Sequence, residues 1–186
     1  MITTLKNIAT IQTGLFAKPV DKGELVYLQS RHFDENGHLL STLYPDLMGD
    51  GILEKHILRV DDVLFASKGT KIFAFVFKIN SQLAVASTSF FVLRLTDKNV
   101  LPEYLAWLLN SQSIQEFLKR HALGTSITSI SKKVLEGLEI PVPALETQKK
   151  ILGIAKLRDK EKSLKLEIES LREKQIQNQI LKSIKI

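Results

Sequence analysis

Cysteine is absent from all 186 residues. That excludes disulfides, thiolate metal sites and cysteine nucleophiles, and it fits a reducing compartment. Proline is sparse, at five residues, so long stretches lack the strongest helix breaker. Apolar runs such as Ile72 to Phe77 fall far short of the ~20 residues that span a bilayer. The opening Met1-Ile2-Thr3-Thr4-Leu5-Lys6 has no basic stretch followed by an apolar core, so no signal peptide is expected. These absences together predict a cytoplasmic protein.

Catalytic signatures are missing too. Neither G-x-G-x-x-G nor G-x-x-x-x-G-K-[ST] occurs, which leaves dinucleotide and P-loop phosphate cradles unsupported. Lys68-Gly69-Thr70-Lys71 is basic and turn-like but lacks the upstream glycine. The histidines His32, His38, His56 and His121 share no i, i+3 or i, i+4 spacing, so no metal site is expected. There is no G-x-S-x-G to activate a serine. A common two-metal nuclease arrangement sets an acidic residue two positions before a lysine, and no Asp or Glu here has Lys at i+2. An Asn/Asp-Pro-Pro-aromatic loop, of the kind that holds an amino group during base methylation, is also lacking. The chain is expected to be non-catalytic, without metal or cofactor. A small hydrolase with an unfamiliar site is the alternative from the enzyme class.

What is present suits one domain plus an appendage. Hydrophobic residues reach 44%, enough for a real core. The formal charge of +6 is uneven: residues 146–186 hold 11 Lys/Arg against 6 Asp/Glu, and residues 1–145 hold 15 against 14. Nucleic-acid binding by the body would need a local basic face rather than bulk charge.

Short apolar alternations predict strands near Leu25–Gln29, Val63–Ala66, Ile72–Lys78, Leu83–Ala86 and Phe90–Leu95, with turns at Asn36-Gly37 and Asn80-Ser81. Pro102 opens a helix through Leu109, and Ser113–Ala122 is a second amphipathic segment stopped by Gly124. Ser131 is an N-cap for Lys132–Glu136. Phe73, Phe75, Phe77, Phe90, Phe91 and Trp107 are expected in the core. Strands, helices, a strand and a long helix follow in order, which predicts an α+β fold: a β-rich domain over 1–143 and a helix over 144–186.

That last helix follows the proline-spaced Ile140-Pro141-Val142-Pro143 and meets no Gly or Pro after Gly153. About 40 helical residues make a rod of roughly 60 Å, too long for such a domain to cover. It is expected to reach outward, to a partner or as a spacer; folding back on its own domain is the alternative. Leu157, Glu161, Leu164, Ile168, Leu171, Gln175 and Asn178 follow the 4,3 rhythm of a coiled-coil seam. Ile176, Ile180 and Ile184 lie off it.

Four segments carry the remaining information: Lys6–Gly14; Asp61–Thr70; Ala86–Arg94; and Gly124–Ile127 through Ile130-Ser131, Leu135, Ile140–Pro143, Leu145-Glu146 and Gln148–Ile151. In this order they resemble the specificity subunit of type I restriction-modification enzymes, over nearly the whole chain. The resemblance implies a DNA-reading module that positions a methyltransferase subunit and, in complete systems, a motor-nuclease restriction subunit. That family usually carries two recognition domains and two helices in tandem, and this chain shows one of each. The pair would be restored by a homodimer through an intermolecular, antiparallel coiled coil built on Leu157, Leu164, Ile168, Leu171, Gln175 and Asn178. Its target would be two inverted half-sites with a fixed gap.

Base reading needs amides, hydroxyls and cations on strand ends and turns. Gln29, Ser30 and Arg31 offer such groups, although Arg31 suits a surface ion pair equally. Lys68, Gly69, Thr70 and Lys71 suit phosphate, since glycine permits close backbone approach; an ordinary hairpin turn is the other reading. Ser87-Thr88-Ser89 is expected to bond within the sheet. Thr125, Ser126, Thr128 and Ser129 with Lys132 and Lys133 combine hydroxyls, cations and a helix N-terminus. A non-catalytic scaffold using the same fold for protein contacts stays open as a second function.

Overall fold

The computed structural model describes residues 1–34, 37–40, 43–69, 71–79, 82–122 and 128–184, and it divides into two units, Met1–Leu145 and Glu146–Ile186. The first unit opens with β1 (Ile2–Thr4), a helical turn α1 (Leu5–Ile8) and β2 (Ala9–Thr13). Next come β3 (Val26–Leu28), β4 (Val63–Ala66), β5 (Lys68–Gly69), β6 (Ala74–Val76), β7 (Ala84–Ala86) and β8 (Phe90–Leu95). Helices α2 (Pro102–Leu109) and α3 (Gln112–Arg120), β9 (Thr128–Ser129), α4 (Lys132–Glu136) and β10 (Glu139–Pro141) complete it.

Four strands form one antiparallel sheet in the order β2-β8-β4-β6. Every residue of β4 is buried, which explains why Val63-Leu64-Phe65-Ala66 reads as a continuous apolar run rather than an alternation. The parallel pair β3–β7 supplies Val26, Leu28, Ala84 and Ala86 to the same core as Leu64, Phe90 and Val92. Phe33 sits at its centre, with ring centroids 5.3 Å from Phe73, 5.1 Å from Phe75 and 5.6 Å from Phe90. Edge-on contacts of this kind add to plain area burial. Trp107 departs from the expected core set: it is 37% exposed and stacks on Tyr104.

The expected strand over Ile72–Lys78 shortens to β6. This is the sheet edge, and the Asn110 side chain closes it like a further strand. Its Oδ1 accepts from Ala74 N and its Nδ2 donates to Ala74 O, both at 2.8 Å. Beside it, the loop into β4 turns at Asp61, whose φ is +74°, and Asp62 receives Arg94 in a fork, Nε to Oδ1 at 2.8 Å and Nη2 to Oδ2 at 2.6 Å.

The segment Lys6–Gly14 covers most of α1 and all of β2, a five-residue strand that alternates buried and exposed residues and that the sequence reading did not assign. The proline-spaced strand is β10, antiparallel to β1 with Ile2 opposite Pro141. A two-stranded pair leaves room for a residue without an N–H. Ser131 caps α4 as expected, its hydroxyl accepting from Val134 N at 3.3 Å. Asn36, Asn80, Ser81 and Gly124 lie outside the described residues.

The second unit is helical. Helix α5 (Leu145–Ser183) runs 39 residues, about 58 Å at 1.5 Å per residue. Its seam side chains lie open: Leu157, Leu164, Ile168 and Leu171 are 69%, 48%, 49% and 57% exposed. The α+β class with a long terminal helix thus agrees with the sequence reading. No helix among the described residues is long and apolar enough to cross a membrane.

Candidate nucleic-acid interface

Strands β2 and β4 both run antiparallel to β8, so their ends Thr13 and Ala66 meet the start of β8 at Phe90. The parallel strands β3 and β7 finish at Leu28 and Ala86. Backbone hydrogen bonds stitch these ends together: Ser87 N to Leu28 O at 2.8 Å, Gly14 N to Phe90 O at 3.0 Å and Leu15 N to Ala86 O at 2.8 Å. Ser67 N donates to Ser89 O and Ile130 N to Ser67 O, each at 2.8 Å. Segments far apart in the chain therefore converge on one end of the sheet.

The two-stranded ribbon β5–β9 completes that end. It sets Lys68 opposite Ser129 and Gly69 opposite Thr128. Two candidate segments that the sequence could only treat separately are thereby one structure. Gly69 has a φ of +134°, a conformation that side chains resist, so glycine is required there. Gln29 and Ser30 follow β3 directly, next to the Leu28–Ser87 bond. Thr70, Thr125 and Ser126 lie outside the described residues, and β9 fixes Thr128 by its backbone alone.

Of the other expected residues, Arg31 and Lys132 have ion-pair partners. Arg31 Nη2 lies 3.9 Å from Asp46 Oδ2, so the ion-pair reading holds in the free chain, at long range and largely exposed. Asp46 is itself anchored, accepting from Tyr27 N at 2.9 Å. Burial, followed by the Arg31 charge, holds the His32 ring below its ordinary pKa. The neutral ring can accept from Gln29 N, 3.2 Å from Nδ1, which fixes the turn that carries Gln29 and Arg31. Lys132 reaches Glu136 at 3.6 Å. Helix α4 spends its Val134 N–H on Ser131, which takes that donor from any phosphate. Ser87 is buried and Ser89 N lies 3.4 Å from its hydroxyl, so that turn bonds within the sheet as expected. Among the described residues no group of three or more His, Asp and Glu could hold a metal ion.

Sequence reasoning singled out Gly14 only as the end of a segment and passed over Leu15–Ala17 and Tyr27. Gly14 packs so closely that a Cβ would collide with the carbonyl oxygens of Ser87 and Ala86. The only hint was a glycine closing an apolar segment.

This convergence of polar loops can be set beside known proteins. A family model described as "Type I restriction modification DNA specificity domain" matches residues 5–170. The chain belongs to this family. A type I restriction enzyme MjaVIII specificity subunit from Methanocaldococcus jannaschii is 35% identical over 63 residues, covering 34% of this chain and 15% of that protein. Among solved structures, the S subunit of a type I restriction-modification system from M. genitalium is similar at TM-score 0.58 and 19% identity, over 86% of this chain and 39% of that one. The HsdS subunit from Thermoanaerobacter tengcongensis gives 0.63 and 20%, over 89% and 43%. A structure concerned with assembly and conformational transition of the type I R-M system gives 0.62 and 16%, over 87% and 38%. At these identities the likeness to the solved structures is one of fold. The chain spans about two fifths of the solved chains it matches. A family of DNA specificity domains agrees with the expectation of a recognition component rather than a catalyst.

Proposed function

We propose that the chain is a non-catalytic DNA-recognition component of a cytoplasmic type I restriction-modification complex. Residues 1–143 read double-stranded DNA, and residues 144–186 pair with a second copy in an antiparallel coiled coil. The homodimer addresses two inverted half-sites across a fixed gap. Its further partners are a DNA methyltransferase subunit and, in complete systems, the restriction subunit. No metal or cofactor is required of this chain.

One observation carries the DNA reading: the β5–β9 ribbon joins Lys68 and Gly69 to Thr128 and Ser129 beside Gln29 and Ser30, in a chain of a DNA-specificity family. On this reading Lys68, Lys71, Lys132 and Lys133 contact phosphate, and the hydroxyls of Thr70, Thr125 and Ser126 are further DNA contacts. Gln29, Ser30 and Arg31 present groups to base edges. Pairing is supported by the exposed 4,3 seam of Leu157, Leu164, Ile168 and Leu171, with Gln175 and Asn178 setting register.

The near-even charge of residues 1–145, 15 basic against 14 acidic, favours a second reading as a protein scaffold. Binding of duplex DNA by the chain assembled with its methyltransferase subunit, measured across salt concentrations, separates the two. The DNA reading expects discrimination among sequences and log affinity falling linearly with log salt. Lys68→Ala should reduce that slope by about one, nearly independently of sequence. Equal affinity for every duplex would remove the reading, and a flat salt response would favour the scaffold.

A further inference from the structure

Residues Leu15 to Ala17 leave the end of β2 at the convergent strand ends, and their middle residue is an exposed aromatic. Phe16 is 76% exposed. A lone exposed apolar residue is ordinary on a protein surface. The backbone around this one is not ordinary, because it is fixed on both sides by a single buried group. Tyr27, 2% exposed in the middle of β3, donates its hydroxyl to Leu15 O at 2.9 Å and accepts from Ala17 N at 3.2 Å. Leu15 N is bound to Ala86 O, and Gly14 is wedged against the Ser87 and Ala86 carbonyls with no space for a side chain. The loop therefore cannot turn inward to bury its ring without breaking this set of bonds. A tyrosine hydroxyl spent on both neighbours of one residue fixes where that residue points.

We propose that Phe16 is a specificity-determining contact with DNA and that Tyr27 is its positioning residue. The inference rests on the DNA-recognition reading above. It commits to duplex DNA as the occupant because Phe16 is continuous, through the Leu15–Ala86 and Ser87–Leu28 bonds, with the segment that carries Gln29 and Ser30, and through the Ser67–Ser89 bond with the one that carries Lys68. An apolar probe among polar readers supplies what amides and lysines lack: contact with a thymine methyl, or a wedge between base steps. Both are apolar contacts with bases. A rigid mount also lowers the ordering cost of the contact on binding.

The test uses the chain assembled with its methyltransferase subunit and a pool of randomised duplexes, sequenced after capture. Wild type should enrich a bipartite sequence. Phe16→Ala should relax enrichment at one or two base pairs of each half-site by about ten- to a hundred-fold, within the range seen for single base contacts. The salt slope should not change, because no phosphate contact is lost. Replacing thymine by uracil in the enriched sequence should reproduce the loss if the ring meets the methyl. A 2-aminopurine signal lost in the variant would instead mark a wedge.

Tyr27→Phe keeps the buried ring but removes both hydrogen bonds. It should relax the same positions, and combining it with Phe16→Ala should add little further loss. A merely structural tyrosine would give additive losses. Unchanged enrichment in Phe16→Ala, beside a discriminating wild type, overturns the inference and leaves the DNA reading intact. So does an equal loss on all sequences, or weaker capture of the methyltransferase subunit with discrimination preserved. If wild type itself enriches nothing, the parent reading falls and this inference with it.

Discussion

Asp62 is 2% exposed, and a buried carboxylate persists only where its charge is answered. Arg94 answers it with two parallel hydrogen bonds, while Arg94 Nη2 also donates to Ile57 O at 3.1 Å and Asp62 Oδ2 accepts from Arg59 N at 2.8 Å. This one pair ties the turn before β4 to the central strand β8. Removing a single partner leaves the other charge uncompensated, so Arg94→Ala should cost about 3 kcal/mol, at the low end for buried pairs because the guanidinium is partly exposed. Urea unfolding at neutral pH checks this. Lys165 and Glu161 on α5 are the contrast, 72% and 61% exposed, where Lys165→Ala should change stability by only a few tenths of a kcal/mol. A comparable loss for both variants would contradict the account of burial.

At the level of elements, the sheet edge and the ribbon show how a short side chain decides where a strand ends. Asn110, just after α2, pairs both backbone groups of the buried Ala74 and so ends the sheet at β6. Asn110→Leu strips both partners from Ala74, and each unsatisfied buried group costs about 1–3 kcal/mol. The expected result is a stability loss of about 2 kcal/mol with faster amide exchange confined to Ala74 and its neighbours; an unchanged exchange rate there would refute the closure. Elements of this kind mark the limit of what the sequence reveals. β4, β8 and α4 were legible with their observed bounds because a continuous apolar run and a serine cap are local signals. β5 and β9 were not, since Lys68-Gly69 and Thr128-Ser129 are two-residue polar strands whose pairing is set by the bond from Ile130 N to Ser67 O. The same holds for the interface. Its residue types could be picked out from turns and strand ends, but that Gln29 and Lys68 serve one end of the sheet follows only from β-pairing between distant strands. Phe16 was invisible for a related reason: its exposure depends on a tyrosine eleven residues away in another strand.

For the whole molecule, the proposed pairing has a register that the seam itself favours. Two identical antiparallel helices can place the two-fold axis near Leu166, which sets Glu161 against the other copy's Leu171. They can also place it between Glu169 and Ser170. Ile168 then faces Leu171, Leu164 faces Gln175, and Glu161 faces Asn178, so the carboxylate meets an amide instead of a leucine. The second register also pairs residues from Lys156 to Ser183, the stretch in which every side chain is exposed. Because the chain has no cysteine, the register can be read by oxidation of engineered thiols. A mixture of Ile168→Cys and Leu171→Cys chains should cross-link faster than either variant alone. A parallel coil brings Ile168 to Ile168, so rapid self-cross-linking of Ile168→Cys would overturn the antiparallel arrangement, and persistence of a monomer at tens of micromolar would remove self-pairing. If the register holds, inserting seven residues at the axis lengthens each helix by about 10.5 Å and should widen the gap between half-sites by about three base pairs.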